Sequence, residues 1–230
     1  SLPLLTEYLP RGYLERLAEV ARKSGGDLVL GVFERNASGQ IFNSAISLGV
    51  SSSQRYAKSH LVPFGEFSPP MFSWVYSMLK IPMSDQTRGA PDQPPLLVAG
   101  QKVAVNICYE DVFGEEIARG AQGATLLLNL SNLAWYGNSW AQPQHLQIAR
   151  LRALETGRPM LRATNTGMTA VVEPDGSVRA QLPAFTRGVL QVLVRGTEGT
   201  TPYLRYGNAL VLAVCALIVA AAFIWSRVRG

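Results

Sequence analysis

Val103-Ala104-Val105-Asn106-Ile107-Cys108-Tyr109-Glu110 decides how this chain is read. An apolar, β-branched run ends on a cysteine, and acidic residues with a helix-like stretch come directly after it. Such a run fixes a buried strand, and the turn after it exposes the sulfur, which is how a nucleophile is presented at a strand tip. A structural cysteine more often sits inside an apolar run than at its edge beside two carboxylates.

The surrounding chain has 230 residues, enough for one sizeable core with an appendage. The appendage reads ALVLAVCALIVAAAFIW from Ala209 to Trp225, without a charge or a proline. At about 1.5 Å per residue it reaches roughly 26 Å, close to the ~30 Å of a hydrocarbon core. A buried core helix is the alternative, but nothing in the stretch is amphipathic. Trp225 followed by Ser226-Arg227-Val228-Arg229 resembles a membrane helix ending at an interface. Two trailing arginines against the single Arg205 ahead place the C-terminus on the cytoplasmic side and the preceding domain outside.

The net charge of +5 is carried by scattered arginines with no basic run interleaved with aromatics. It therefore points to an anionic membrane surface rather than to nucleic acid. Cys108 and Cys215 are the two cysteines, and the second lies inside the proposed span, so Cys108 is expected to be a free thiol. Two separated histidines and no paired-cysteine motif argue against a structural zinc, and no cofactor is expected.

Spacing of Leu14, Leu17, Ala18 and Ala21 predicts a helix within Pro10–Ser24, stopped by Gly25-Gly26. Strands are expected at 27–34, 41–50, 54–60, 103–107 and 124–130, and helices at 113–121 and 140–156. Further strands are expected at 160–165, 168–173, 177–181 and 188–194. The proline-rich stretch 68–95, with Met71, Phe72, Trp74, Tyr76, Met78 and Met83, reads as a long loop or lid. Together the pattern is that of a layered α/β domain.

A thiol needs a nearby cation or base to become a thiolate. Lys58 is the best cation, although alone it reads as a surface lysine at a strand end. His60 alone reads as a structural histidine, and Glu66 and Glu110 as solvated carboxylates. The segments Lys58-Ser59-His60-Leu61-Val62-Pro63-Phe64-Gly65-Glu66 and Cys108-Tyr109-Glu110 are harder to dismiss together.

With Asn106-Ile107 ahead of the cysteine, those two segments resemble the lysine and cysteine motifs of the nitrilase, or carbon–nitrogen hydrolase, superfamily. Within it they are similar to the apolipoprotein N-acyltransferase family. Asn129-Leu130-Ser131-Asn132, Ala134-Trp135-Tyr136-Gly137, the stretch Gln144 to Glu155 and Arg162-Ala163-Thr164-Asn165-Thr166-Gly167 are also similar to that family. So is the ending, Thr201-Pro202-Tyr203 and Tyr206-Gly207-Asn208 before an apolar helix. The resemblance covers essentially the whole chain.

It implies an α-β-β-α sandwich over residues 1–200, a juxtamembrane linker at 201–208, a transmembrane helix at 209–225 and a cytoplasmic tail at 226–230. The setting implied is the bacterial inner membrane, with the catalytic domain in the periplasm. Cys108 would take an acyl chain from a phospholipid as a thioester and pass it to the α-amino group of a diacylglyceryl-cysteine on an apolipoprotein. Lys58 and the Tyr109 backbone N–H would stabilise the oxyanion, Glu66 would hold Lys58, and Tyr109 and Glu110 would shape the pocket. Trp74, Trp135 and Tyr136 would meet lipid chains.

Two departures accompany the resemblance. Ser1-Leu2-Pro3 is similar to the residues directly after the family's general-base glutamate. That glutamate is therefore expected immediately before Ser1, with membrane helices further upstream. The 230 residues alone are then expected to be inactive. Leu133 stands where the family usually has aspartate. The competing readings are a hydrolase of small amides or nitriles using the same cysteine, and an inactive membrane-anchored binding module.

Overall fold

The computed structural model describes residues 2–67 and 85–229. Three-stranded antiparallel pairing comes first: β1 (Asp27–Arg35), β2 (Ile41–Gly49) and β3 (Gln54–Ala57) lie in the order β1-β2-β3. A six-stranded sheet comes next, its strands in sequence order: β4 (Leu96–Val98), β5 (Gln101–Ile107), β6 (Leu126–Ser131), β7 (Met160–Thr164), β8 (Ala170–Val172) and β9 (Val178–Gln181). Its centre, β5-β6-β7, is parallel, and the flanking pairs are antiparallel.

Side-chain parity sorts these sheets into layers. Val103, Val105 and Ile107 of β5 and Leu126, Leu128 and Leu130 of β6 form one buried cluster with Ala45, Val29 and Tyr56 of the smaller sheet. That cluster is the filling of a sheet-on-sheet sandwich. The opposite parity, Ala104 and Leu127, meets α2 (Gly114–Gly120) and α3 (Ala141–Thr156) through Ile117, Leu146, Ala149 and Ala153. On the far side, α1 (Tyr13–Lys23) covers the small sheet, with Leu14 and Leu17 against Leu30, Val32 and Ile46. The layers therefore run α-β-β-α.

Helix α3 ends at Gly157, whose φ of 64° supplies the left-handed stop that a side chain would resist. The segment expected as a linker forms a helical turn, α4 (Pro202–Tyr206). Thr201 caps it by accepting the Leu204 N–H at 3.0 Å, and Leu204 is buried among the α2 and α3 side chains. From Ala209 to Arg229 runs α5, whose segment Ala209–Arg227 has a mean hydropathy of 2.6 and none of it buried against the body. It is long and apolar enough to cross a membrane.

Three local expectations change. The strand expected at 54–60 stops at Ala57, because Lys58 turns inward and Ser59 and His60 give their N–H groups to a side chain. Leu96–Val98 is a strand that no pattern announced, a hairpin partner of β5. The stretch 188–194 is not a strand: its alternation leaves Val189 92% and Leu193 77% exposed, and it stays outside both ladders. The proposed lid lies mainly in 68–84, outside the described residues.

Candidate active site

Cys108 begins where β5 ends. It is a free, half-buried thiol, and its backbone sits in the left-handed region with φ 54°. For a residue with a Cβ this conformation costs about 1–2 kcal/mol, so the surroundings must impose it. The 3₁₀ turn Cys108–Val112 starts at the same residue.

Lys58 leaves the end of β3 and is 1% exposed, so it is no surface lysine. Its ammonium donates to both oxygens of Glu66, at 2.8 and 2.6 Å. Glu66 is held in turn by the Val62 N–H at 2.9 Å and the Asn43 side-chain amide at 3.3 Å. A tight turn through Phe64 (φ 62°) brings Glu66 back onto Lys58. Gly89 packs against the same strand end, where a Cβ would collide with the Ala57 carbonyl oxygen.

Burial pushes the Cys108 thiol up from its ordinary value, and the Lys58 ammonium is the largest influence pulling it back. Asp111 and Glu66 add to the upward push, while the Tyr109 backbone N–H favours the thiolate. The sulfur thus stands within electrostatic reach of a buried cation, a setting that favours the thiolate.

Glu110 is the joint of the site. Only 2% exposed, it accepts the N–H groups of Ile107 (2.7 Å), Ser59 (2.7 Å) and His60 (3.0 Å), the Ser59 hydroxyl (3.0 Å) and the Tyr56 phenol (2.9 Å). Burial raises its pKa, and the three N–H groups oppose that rise. Beside this carboxylate the Tyr56 phenol is pushed far up, chiefly by burial and then by the Glu110 charge. Glu110 therefore ties the lysine-bearing strand end to the cysteine-bearing one. Tyr109 packs edge-on against Phe113, and His60 stacks on Phe113 while its Nδ1 lies 3.1 Å from Glu116.

At the mouth, the 3₁₀ turn Ala134–Tyr136 presents Trp135, 81% exposed, and Tyr136, 49% exposed. The Tyr136 phenol is raised first by burial and next by Cys108, so it stands within electrostatic reach of the sulfur. Trp74 lies outside the described residues. Leu133 is fully buried against Gly167, and its backbone N–H goes to the Asn165 side-chain oxygen at 3.0 Å.

Beneath Cys108 lies a polar group to which the sequence assigned no role: the buried Asp111, Asn129 and Arg162 with the partly buried His145. Arg162 donates to Asp111 at 3.3 Å and to the His145 ring, whose Nε2 lies 3.1 Å from Asp111. The one available signal was an asparagine in each of two otherwise apolar buried strands.

Residues 6–203 match the model of the carbon–nitrogen hydrolase family. The chain belongs to the carbon–nitrogen hydrolase family. Among solved members of this fold, the carbon–nitrogen hydrolase from Helicobacter pylori superposes with a TM-score of 0.57 at 19% identity, covering 74% of this chain and 62% of that one. A variant of the amidase from Nesterenkonia sp. AN1 in complex with butyramide gives 0.56 at 23%, with the same coverage. Sequence relatives are much closer. The apolipoprotein N-acyltransferase of Nitrosomonas europaea is 53% identical over 96% of this carbon–nitrogen hydrolase chain, and that of Ralstonia nicotianae is 48% identical over all of it. The chain spans about 45% of the length of either relative.

Proposed function

We propose that this chain carries the acyl-transfer site of an apolipoprotein N-acyltransferase, with Cys108 as nucleophile. The observation that carries this reading is a half-buried thiol at a strand tip, electrostatically coupled to a buried ammonium that a carboxylate holds in place. The names of the relatives and the exposed apolar helix α5 support a lipid donor over a small soluble amide.

In the first half-reaction the Cys108 thiolate attacks an ester carbonyl of a phospholipid. A C–S bond forms, the C–O bond breaks, and the lysophospholipid leaves as an alcohol after taking up a proton. In the second, the neutral α-amine of a diacylglyceryl-cysteine attacks the thioester, the C–N bond forms, the C–S bond breaks, and the amine's proton passes to the sulfur, returning the thiol. Both tetrahedral intermediates carry an oxyanion, for which the Lys58 ammonium and the Tyr109 N–H are the available donors. Glu66 keeps Lys58 aimed. Trp135 and Tyr136 meet the acyl chains at the mouth. In the cell, α5 sits in the inner membrane with the catalytic layers on the periplasmic side.

The test is intact-mass measurement of the membrane-embedded full chain after mixing with phospholipid vesicles. A fatty-acyl increment on Cys108, discharged by a diacylated lipopeptide and absent in Cys108→Ala, is the expected result. No increment, with turnover of small amides instead, would replace the transferase by a hydrolase. Neither activity would leave a binding module.

A further inference from the structure

Asn106, Asn129 and Arg162 occupy matching positions on three neighbouring parallel strands: Asn106 pairs with Asn129, and Asn129 with Arg162. All three are 2% exposed or less. A polar row inside an apolar sheet is costly unless each member is satisfied. Here the row ends at the nucleophile. The Asn129 amide nitrogen donates to the Asn106 side-chain oxygen at 2.6 Å and to the Cys108 carbonyl at 3.3 Å. Its oxygen accepts from the Ser131 hydroxyl at 2.5 Å and from the Arg162 guanidinium at 3.4 Å.

A carboxamide can face either way, and the two orientations present opposite chemistry to Cys108. Arg162 removes the choice. A guanidinium is donor-only, so the group facing it must be an acceptor. Asn129 then turns its oxygen to Arg162 and its N–H groups to the Cys108 carbonyl. Arg162 is itself fixed by Asp111, three residues after Cys108 in the same 3₁₀ turn, and by the His145 ring nitrogen. The left-handed backbone of Cys108 is thereby gripped twice, by Glu110 through the Ile107 N–H ahead of it and by Asn129 through its own carbonyl.

We infer that Arg162 is a positioning residue for the nucleophile, acting through the orientation of the Asn129 amide. It touches no reacting atom, and the inference rests on Cys108 being the nucleophile. In the membrane-embedded full chain, the rate of thioester formation is followed by mass on vesicles of mixed phosphatidylethanolamine and phosphatidylglycerol. The rate is expressed per folded molecule, as a function of lipid concentration.

Arg162→Gln can offer an acceptor to Asn129 and so frees its orientation. Its limiting rate is expected to fall about 10- to 100-fold at unchanged half-saturating lipid. Arg162→Lys, still donor-only, is expected to recover most of that loss. A wild-type rate per folded Arg162→Gln molecule, or equal losses in both variants, overturns the inference. Should Arg162→Gln not fold, the near-isosteric Asn129→Asp decides. It sets an acceptor against the Cys108 carbonyl and must show the same loss, and a wild-type rate overturns the proposal. An acyl increment that persists in Cys108→Ala is a different failure, because it removes the nucleophile assignment itself.

Discussion

The Glu110 carboxylate accepts the Ser59 backbone N–H at 2.7 Å across a sequence separation of 51 residues. Ser59 comes directly after the buried lysine, and Glu110 lies two places beyond the cysteine. Glu110 therefore links the two strand ends directly across the sandwich, where no ladder can, because β3 and β5 belong to different sheets.

Replacing Glu110 with glutamine keeps its shape but turns one acceptor oxygen into a donor facing N–H groups. The expected cost is about 2–4 kcal/mol in unfolding free energy, from buried donors left unpaired. Acyl transfer is expected to be lost as the two strand ends separate. Denaturant titration and the thioester assay check the two effects separately.

Alkylation of Cys108 by iodoacetamide reports its thiolate. The thiol is held above its ordinary range by burial, so alkylation should still be rising with pH above ~8.5, the range of a free cysteine. The thiolate is the form that Lys58 favours. Lys58→Met should therefore move the midpoint further up, and slow alkylation at neutral pH. A midpoint that falls in Lys58→Met would mean the ammonium does not act on the sulfur.

Glu66→Gln leaves the buried Lys58 ammonium without its counter-charge. Removing one partner of such a pair costs about 3 kcal/mol. The expected outcome is a lowered unfolding midpoint together with loss of thioester formation. Lys58→Met combined with Glu66→Gln should be more stable than Glu66→Gln alone, since it removes the stranded charge. Thermal unfolding of the three variants checks the order.

The orientation of α5 is open to direct labelling. In a Cys108→Ala background, Thr200→Cys should react with a membrane-impermeant maleimide on intact spheroplasts. Ser226→Cys should react only after permeabilisation. The reverse pattern would place the catalytic layers on the other side.

Much of this was legible in the residues. The runs ending at Ile107 and Leu130 are buried on both faces, and continuous apolar character is what such strands must show. The layer order came with the family resemblance rather than from periodicity. The alternation at 188–194 misled because period-two spacing specifies an extended chain and not a partner for it. Leu96–Val98 was too short to register. Lys58 looked like a surface residue because its burial depends on a carboxylate eight residues on, reached only by the turn at Phe64. The row of Asn106, Asn129 and Arg162 was signalled only by an asparagine in each of two apolar strands, and their alignment could not be read, since parallel register is set by the helices between the strands.

The short helix ahead of α5 has a mechanical consequence. Leu204 is sunk in the core and Thr201 ties the same turn to the Glu155 carbonyl at 2.5 Å. The Asn208 N–H meets Glu115 at 3.1 Å, so the mounting stays fastened up to the first residue of the long rod. The rod is bolted to the body, not hung from a string. A residue inserted between Asn208 and Ala209 would part the rod from this mounting, and the cleft would lose its fixed bearing relative to the rod.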